Sequence, residues 1–377
     1  MKALAGARVF DGETIRGGFA VLVEGESIAA LVPEGDLPKG AERVVIDGLL
    51  APGFIDLQVN GGGGVLFNAT PTVDAIRAIG AAHRTYGTTG FLVTFITDST
   101  EKMATAVEAT RQALDERVPG LVGIHLEGPF LNPARRGIHD AQWVRTPNQG
   151  DLALLDELPV GRTLVTLAPE KAPAGMIERL AKAGVIVAAG HTDSDYDQAM
   201  AGFAAGVAGV THLFNAMTPL TSRAPGTVGA ALDHKPAWCG LIVDGHHVHP
   251  ASLRAAIAAK PRGTMILVTD AMPPAAGGPA AFDLGGRPIR AEGGRLIGAD
   301  GTLAGADLDM ARAVANTVEM VGLDIAEALR MASLYPARAL GLDDRGRIAS
   351  GKRADLVLLD HKLRVTDTWI GGERAGR

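Results

Sequence analysis

The sequence predicts an α/β protein: a (β/α)8 TIM-like barrel with a small β-sandwich module built from both chain ends. Three observations predict it. Eight apolar runs of strand length recur through the middle of the chain. Segments of helical length and composition separate them. The two ends instead alternate short β-rich runs with turn dipeptides.

The N-terminal end reads as a small antiparallel sheet. Its runs are Ala7–Phe10, Phe19–Glu24 and Ser27–Val32, punctuated by Asp11-Gly12, Gly17-Gly18 and Glu24-Gly25. The C-terminal end repeats the pattern with Gly346–Ile348, Ala354–Leu359 and Thr366–Ile370. Neither end is long enough to build a core alone, so residues 1–51 and 345–377 are expected to form one module. Residues 52–344 are then the barrel.

The barrel runs are Gly53–Val59, Gly90–Ile96, Leu121–Leu126, Thr163–Leu167, Val185–Ala189, Val207–Thr211, Gly240–Val243 and Thr264–Thr269. They are continuous rather than alternating, as suits parallel strands buried on both faces. The helical segments are Thr72–Tyr86, Glu101–Glu116, Gly175–Ala183, Asp195–Ala205 and Pro250–Ala259. An open doubly wound sheet is the competing arrangement; eight βα units favour closure. After the eighth run, the Gly/Pro-rich stretch Pro273–Gly305 reads as loops or a hairpin near the barrel mouth. A helix pair, Ala306–Met320 and Ile325–Ser333, follows. Tyr335–Gly341 and Gly351–Val357 read as structural joints between barrel and module.

Composition bounds the function. The 377 residues are 47% hydrophobic and 21% charged, an ordinary globular balance. A net charge of −6 argues against nucleic acid or an anionic membrane as the main partner. It leaves room for a small anionic substrate, which needs only two or three local cations. The single cysteine, Cys239, cannot form an internal disulfide, which fits a reducing compartment. Met1–Phe10 lacks a signal-peptide core, and no run approaches the ~18 apolar residues of a membrane span. A cytoplasmic location is expected.

Barrel enzymes carry their chemistry where strands end. Glu127, His191 and His212 each terminate a different run. Together at one mouth, they would hold a divalent metal with a position left for water, a catalytic rather than structural pattern. Taken singly, each also reads as a satisfied strand-end residue or a barrel-mouth ion pair. Asp270 ends the eighth run, where a carboxylate can take a proton from water and return it to a leaving amine; a helix N-cap is the plainer alternative. His139, Arg223 and His247 lie in loops after strands. They suit anion binding or carbonyl polarisation, and equally a plain loop surface. His125, two residues before Glu127, is expected to face the barrel interior. His246 and His249 have no assigned role, and His83, His234 and His361 read as background.

These residues resemble the amidohydrolase superfamily and, within it, its amino-sugar 6-phosphate deacetylases. The resemblance spans nearly the whole chain. Its specific segments are His125-Leu126-Glu127-Gly128-Pro129 and Thr211-His212-Leu213-Phe214-Asn215-Ala216-Met217. Pro52–Asp56, Gly190–Thr192, Asp244–Val248, Thr269–Ala271 and Gly351–Val357 add to it. The superfamily's His-x-His after the first strand is replaced by Gln58-Val59-Asn60, a departure shared with the deacetylase branch, which suggests one metal rather than two.

The resemblance implies a metal-dependent hydrolase of N-acetyl-D-glucosamine 6-phosphate in amino-sugar catabolism. It implies one divalent ion per subunit, zinc first, with iron, cobalt or manganese compatible. Glu127, His191 and His212 would hold that ion, and Asp270 would be base and then acid. His139 would polarise the acetyl carbonyl. Ile138, Asn215 and Ala216 would contact the sugar, Arg223 and His247 the phosphate, and Leu303, Ala304 and Gly305 would line the pocket. A homodimer is implied, with part of the phosphate site contributed across it. Other outcomes are the galactosamine epimer as substrate, a cyclic-amide hydrolase, which usually needs the missing His-x-His, or a non-catalytic scaffold.

Overall fold

The computed structural model describes residues 1–375; residues 376–377, the end of the expected terminal module, lie outside the described residues. Eight parallel strands form one sheet in strict sequence order: β1 (Phe54–Val59), β2 (Thr88–Ile96), β3 (Leu121–Glu127), β4 (Arg162–Leu167), β5 (Ile186–Ala189), β6 (Val207–Val210), β7 (Trp238–Leu241) and β8 (Met265–Leu267). The eight expected runs coincide with them to within a few residues. Continuous apolar sequence works here because each strand packs inward on barrel side chains and outward on helices.

The barrel closes where β8 returns to β1. Ala271 bridges Val59, and the Asn60 amide donates to the Ala271 carbonyl at 2.9 Å. Asp56 is fully buried at this seam. Its carboxylate accepts from the Thr269 hydroxyl at 2.5 Å, the Thr269 amide at 3.3 Å and the Gln58 amide at 3.1 Å. Burial outweighs those bonds and pushes the Asp56 carboxyl up to about 7. A carboxyl raised in the folded state contributes stability that is complete below about pH 4 and is lost as pH rises through 7. Asp56→Asn should therefore flatten the dependence of the denaturant midpoint on pH between about 4 and 7. Asp56→Ala orphans buried donors and should cost about 2–3 kcal/mol of unfolding free energy. An Asp56→Ala midpoint equal to wild type would remove Asp56 from the seam's energetics.

Helices sit between strands where local chemistry starts them. Thr72 caps the helix Val73–Arg84, and Ser99 caps Thr100–Asp115. Asp195 and Gln198 form a capping box at Tyr196–Ala205. Two short helices, Gln149–Leu155 and Gly226–Asp233, were not expected. At seven and eight residues they carry too few periods for a hydrophobic stripe to be read.

Both chain ends meet in two small sheets. One joins Ser27–Pro33, Phe19–Glu24, Lys2–Ala5 and Glu42–Val45. The other interleaves the termini: Leu356–Leu359 pairs antiparallel with Leu49–Pro52, which pairs parallel with Arg8–Phe10. Leu4, Val21, Leu50, Leu356 and Trp369 share the core between them. Gly346–Ile348 is not a strand. Gly346 has φ +83°, which breaks extension, and the segment drops Ile348 into this core while its amide donates to Asp11.

The stretch after β8 is more ordered than expected. Ala281–Leu284, Arg287–Glu292, Arg295–Ile297 and Leu303–Ala306 build a four-stranded antiparallel sheet. It packs Leu284, Ile289, Leu296 and Ala304 on Leu66, Ile96 and Met272 beside the mouth. Because Leu303–Ala306 is a strand, the next helix begins at Met310 rather than Ala306, capped by Asp309.

Candidate active site at the barrel mouth

The strand ends deliver four groups to one place. Glu127 closes β3, and His191, His212 and Asp270 follow β5, β6 and β8 within three residues. His191, His212 and Asp270 have φ of 48°, 33° and 53°. Non-glycine residues rarely adopt that left-handed region, and such strain persists where the surroundings over-determine it.

Glu127 Oε1 lies 2.9 Å from His212 Nε2 and 3.3 Å from His191 Nε2, and the two ring nitrogens are 3.1 Å apart. Three donor atoms converging at these distances match the ~3.3 Å edge of a tetrahedron whose centre lies about 2.0–2.1 Å from each. The His191 Nδ1 hydrogen bond to the Arg135 carbonyl at 2.9 Å leaves Nε2 bare for this role. His212 Nδ1 has no such partner among the described residues. The donor set fits a divalent ion.

Burial opposes the charge on Glu127, but contacts from His191 and His212 outweigh it and hold the carboxyl well below its ordinary range. His139 stands nearby: Glu127, His139 and His191 also offer ligand atoms within 4.8 Å of one another. Its Nε2 is 4.0 Å from Glu127 Oε2, and its Nδ1 is 2.7 Å from the Thr97 hydroxyl. Burial and the neighbouring His191 lower the His139 pKa far enough to keep the ring neutral.

Gln58 and Asn60 join the acid pair. Gln58 Nε2 donates to both Glu127 oxygens, at 3.0 and 3.1 Å, and to Asp270 Oδ1 at 3.0 Å. Asn60 Nδ2 donates to the same Asp270 oxygen at 2.7 Å. Burial and the Glu127 charge nevertheless push the Asp270 carboxyl up to about 6.

A cavity of about 350 Å³ opens above these groups. Glu127, Ile138, His139, His191, His212, Asn215, Ala216, His247, Asp270, Leu303 and Gly305 line it, with Ile96, Arg135, Met272 and Thr302. Asp244 Oδ2 contacts His247 Nδ1 at 2.6 Å, so only Nε2 of that ring is left for the cavity. The Ile138 carbonyl accepts from Arg287 at 2.7 Å. Two expected residues are elsewhere. Ala304 is fully buried in the apolar cluster behind the wall, because alternation along its strand turns it away from Leu303. Arg223 sits on an exposed turn and does not line this chain's cavity. His125 faces inward as expected, between the Thr94 and Thr166 hydroxyls, and burial lowers it to about 4.

The roles of Gln58, Asn60, Thr97 and Arg287 were not foreseen. The first two had a signal, since they occupy the strand end where a His-x-His pair would stand.

Comparison with known proteins agrees with this geometry. An amidohydrolase family model matches residues 49–375, and a NagA composite domain model matches residues 1–50. An N-acetylgalactosamine-6-phosphate deacetylase of Shewanella sp. (strain ANA-3) is 43% identical over 86% of this chain and 83% of its own length. An N-acetylglucosamine-6-phosphate deacetylase of Haemophilus influenzae is 38% identical over 94% of both chains. The crystal structure of N-acetylglucosamine-6-phosphate deacetylase from Pasteurella multocida superposes with a TM-score of 0.95, at 34% identity over the whole of both chains.

Proposed function

The chain belongs to the amidohydrolase family, and on that premise we propose that it hydrolyses the acetamide of N-acetyl-D-glucosamine 6-phosphate to acetate and D-glucosamine 6-phosphate. The observation that carries the reading is one mouth holding a Glu127–His191–His212 donor set and, tied to it through Gln58, the carboxylate of Asp270. Relatives at 38% and 43% identity over most of the chain act on phosphorylated N-acetylamino sugars by name.

Glu127, His191 and His212 would hold one divalent ion, which we assign as zinc; iron, cobalt and manganese suit the same donors. When bound, such an ion supplies Lewis acidity, which lowers the pKa of water and polarises an acyl oxygen. Asp270 takes a proton from the water that adds to the acetyl carbon. Gln58 and Asn60 donate to the Asp270 oxygen and hold it there through the transfer. In the tautomer that leaves Nδ1 to accept from the Thr97 hydroxyl, neutral His139 would carry its proton on Nε2 and offer it as a hydrogen bond to the acyl oxygen as charge develops. Asp270 then returns the proton to the sugar nitrogen as the C–N bond breaks.

Asn215, Ala216 and the main chain at Ile138 meet the sugar, and Leu303 and Gly305 wall it. His247 Nε2 meets the phosphate. Arg223, exposed in its own chain, meets the phosphate bound by a partner subunit in a homodimer. Among the described residues no helix is long and apolar enough to cross a membrane. The reducing-compartment signal of a lone, buried Cys239 supports a cytoplasmic enzyme.

The test is acetate release by metal-analysed protein from N-acetylglucosamine 6-phosphate, with the unphosphorylated sugar and N-acetylgalactosamine 6-phosphate alongside. Release from the glucosamine phosphate with the highest kcat/KM, and about one metal per chain, is expected. A higher kcat/KM on the galactosamine epimer, the substrate named for the Shewanella relative, would transfer the assignment to that sugar. No release from any of the three by metal-loaded protein would sink the deacetylase reading.

A further inference from the structure

The fourth barrel strand brings no side chain into the cavity, yet a carboxylate just beyond it sits at the centre of a closed set of bonds around His191. Glu170 lies in the 3-10 turn Pro169–Lys171 that follows β4. Its Oε1 accepts from Asn132 Nδ2 at 2.9 Å and from the Asp193 amide at 2.8 Å. Its Oε2 accepts from the Thr192 hydroxyl at 2.6 Å and the Ser194 hydroxyl at 2.7 Å. Four donors saturate it.

Those donors come from two segments, and both govern His191. Thr192, Asp193 and Ser194 are the residues directly after it. Asn132 begins the other segment. Its side chain accepts from the Ala134 amide at 3.0 Å and caps the turn Pro133–Arg135. That turn presents the Arg135 carbonyl to His191 Nδ1 at 2.9 Å. The Asn132 amide also donates to the His191 carbonyl at 2.9 Å. One carboxylate thus spans the backbone that carries the ring and the turn whose carbonyl sets its tautomer. The Arg135–Asp193 ion pair also links the segments, but it is solvent-exposed, and such pairs hold geometry weakly. His191 itself has φ +48°, a conformation that needs outside bonds to persist.

We propose that Glu170 is a positioning residue that locks His191, in backbone and in tautomer, into the pose of a metal ligand. The inference rests on the reading that His191 binds the ion, and it adds a residue that never touches ion or substrate. It also gives the ligand-free β4 end a role: it anchors the neighbouring β5 loop.

The prediction separates two replacements. A Gln side chain keeps the shape. Its oxygen can face the Asn132 and Asp193 donors while its NH2 faces the two hydroxyls, which can rotate to accept. Glu170→Gln should therefore retain zinc affinity within about threefold. Glu170→Ala leaves both segments untied and should weaken it about 10–100-fold, the range for losing a ligand's hydrogen-bond support. Thr192→Val removes one of the four donors to Glu170, along with the acceptor of the Ser194 amide, and should lower affinity a few-fold, which keeps the test open if the alanine variant does not fold.

The measurement is Zn2+ affinity of the metal-stripped chain by chelator competition, together with the visible spectrum of the Co2+-loaded chain. The alanine variant should show a changed cobalt spectrum and the glutamine variant an unchanged one. A folded Glu170→Ala chain with wild-type zinc affinity and spectrum would overturn the proposal. If alanine does not fold, wild-type affinity in Thr192→Val would do the same. A wild-type chain that takes up no zinc or cobalt would overturn the metal reading, and this inference with it.

Discussion

Asp270→Asn is expected to lower kcat for acetate release by about 10²–10⁴-fold, the usual worth of a positioned proton-transfer group. KM and metal content should stay near wild type. The reason is in the bonds. Asn60 and Gln58 both donate to Oδ1, and an asparagine carbonyl can accept both, so the side chain keeps its place. What disappears is the ability to take a proton from water and give it back to nitrogen. Burial and the charge of Glu127 push the Asp270 carboxyl up to about 6, and a divalent ion bound at Glu127 would pull it back down, leaving the carboxylate ready to take a proton near neutral pH. The measurement is steady-state kinetics with metal analysis on the same preparation. Turnover within about threefold of wild type would remove Asp270 from the proton path; loss of metal in the variant would show that its role is to hold the site together.

The fold was legible because parallel barrel strands advertise themselves. Val93, Ile124, Val165, Val187 and Ile266 are wholly or almost wholly buried, and a run that must be apolar on both faces leaves a continuous sequence signal. The cluster of Glu127, His191 and His212 was legible for a related reason, since a polar residue ending such a run stands out against it. Glu127, His191 and His212 could be paired with strand ends before any geometry was known.

Other parts had no such signal. Ala304 and Leu303 are neighbours in sequence, and only strand alternation decides which one meets the cavity. The sheet built from Ala281–Ala306 hides behind glycines and prolines that read as loop, because its short strands are joined by tight turns at Gly285-Gly286 and Gly293-Gly294. Gln58 and Asn60 were visible only as residues in the place of a missing pair. Gln58 tying Glu127 to Asp270, and Asn60 adding a second donor to Asp270, depend on three strand ends meeting in space. Glu170 was invisible altogether, since one glutamate in a loop differs from any other until its four donors are placed around it.

His212→Ala should empty the metal site, and His139→Ala should leave that site standing. Two sets of three buried groups share Glu127 and His191, one completed by His212 and the other by His139. Distances choose between them. His212 Nε2 is 2.9 Å from Glu127 Oε1 and 3.1 Å from His191 Nε2, whereas His139 Nε2 is 4.0 Å from the other carboxylate oxygen. Donors around a tetrahedral ion would lie about 3.3 Å apart, so the His212 set matches that spacing more closely than His139, which at 4.0 Å stands about 0.7 Å too far. Removing His212 should therefore reduce bound metal after dialysis from about one per chain to near zero and take turnover with it. Removing His139 should lower kcat by about 10²–10³-fold, as for the loss of one donor to a developing oxyanion, while the metal stays. The two variants, analysed for metal and acetate release side by side, separate a ligand from a polarising group. If His139→Ala loses the metal and His212→Ala keeps it, the donor assignment is reversed. The loop carrying His139, pinned by Arg287 at the Ile138 carbonyl, would then belong to the metal site.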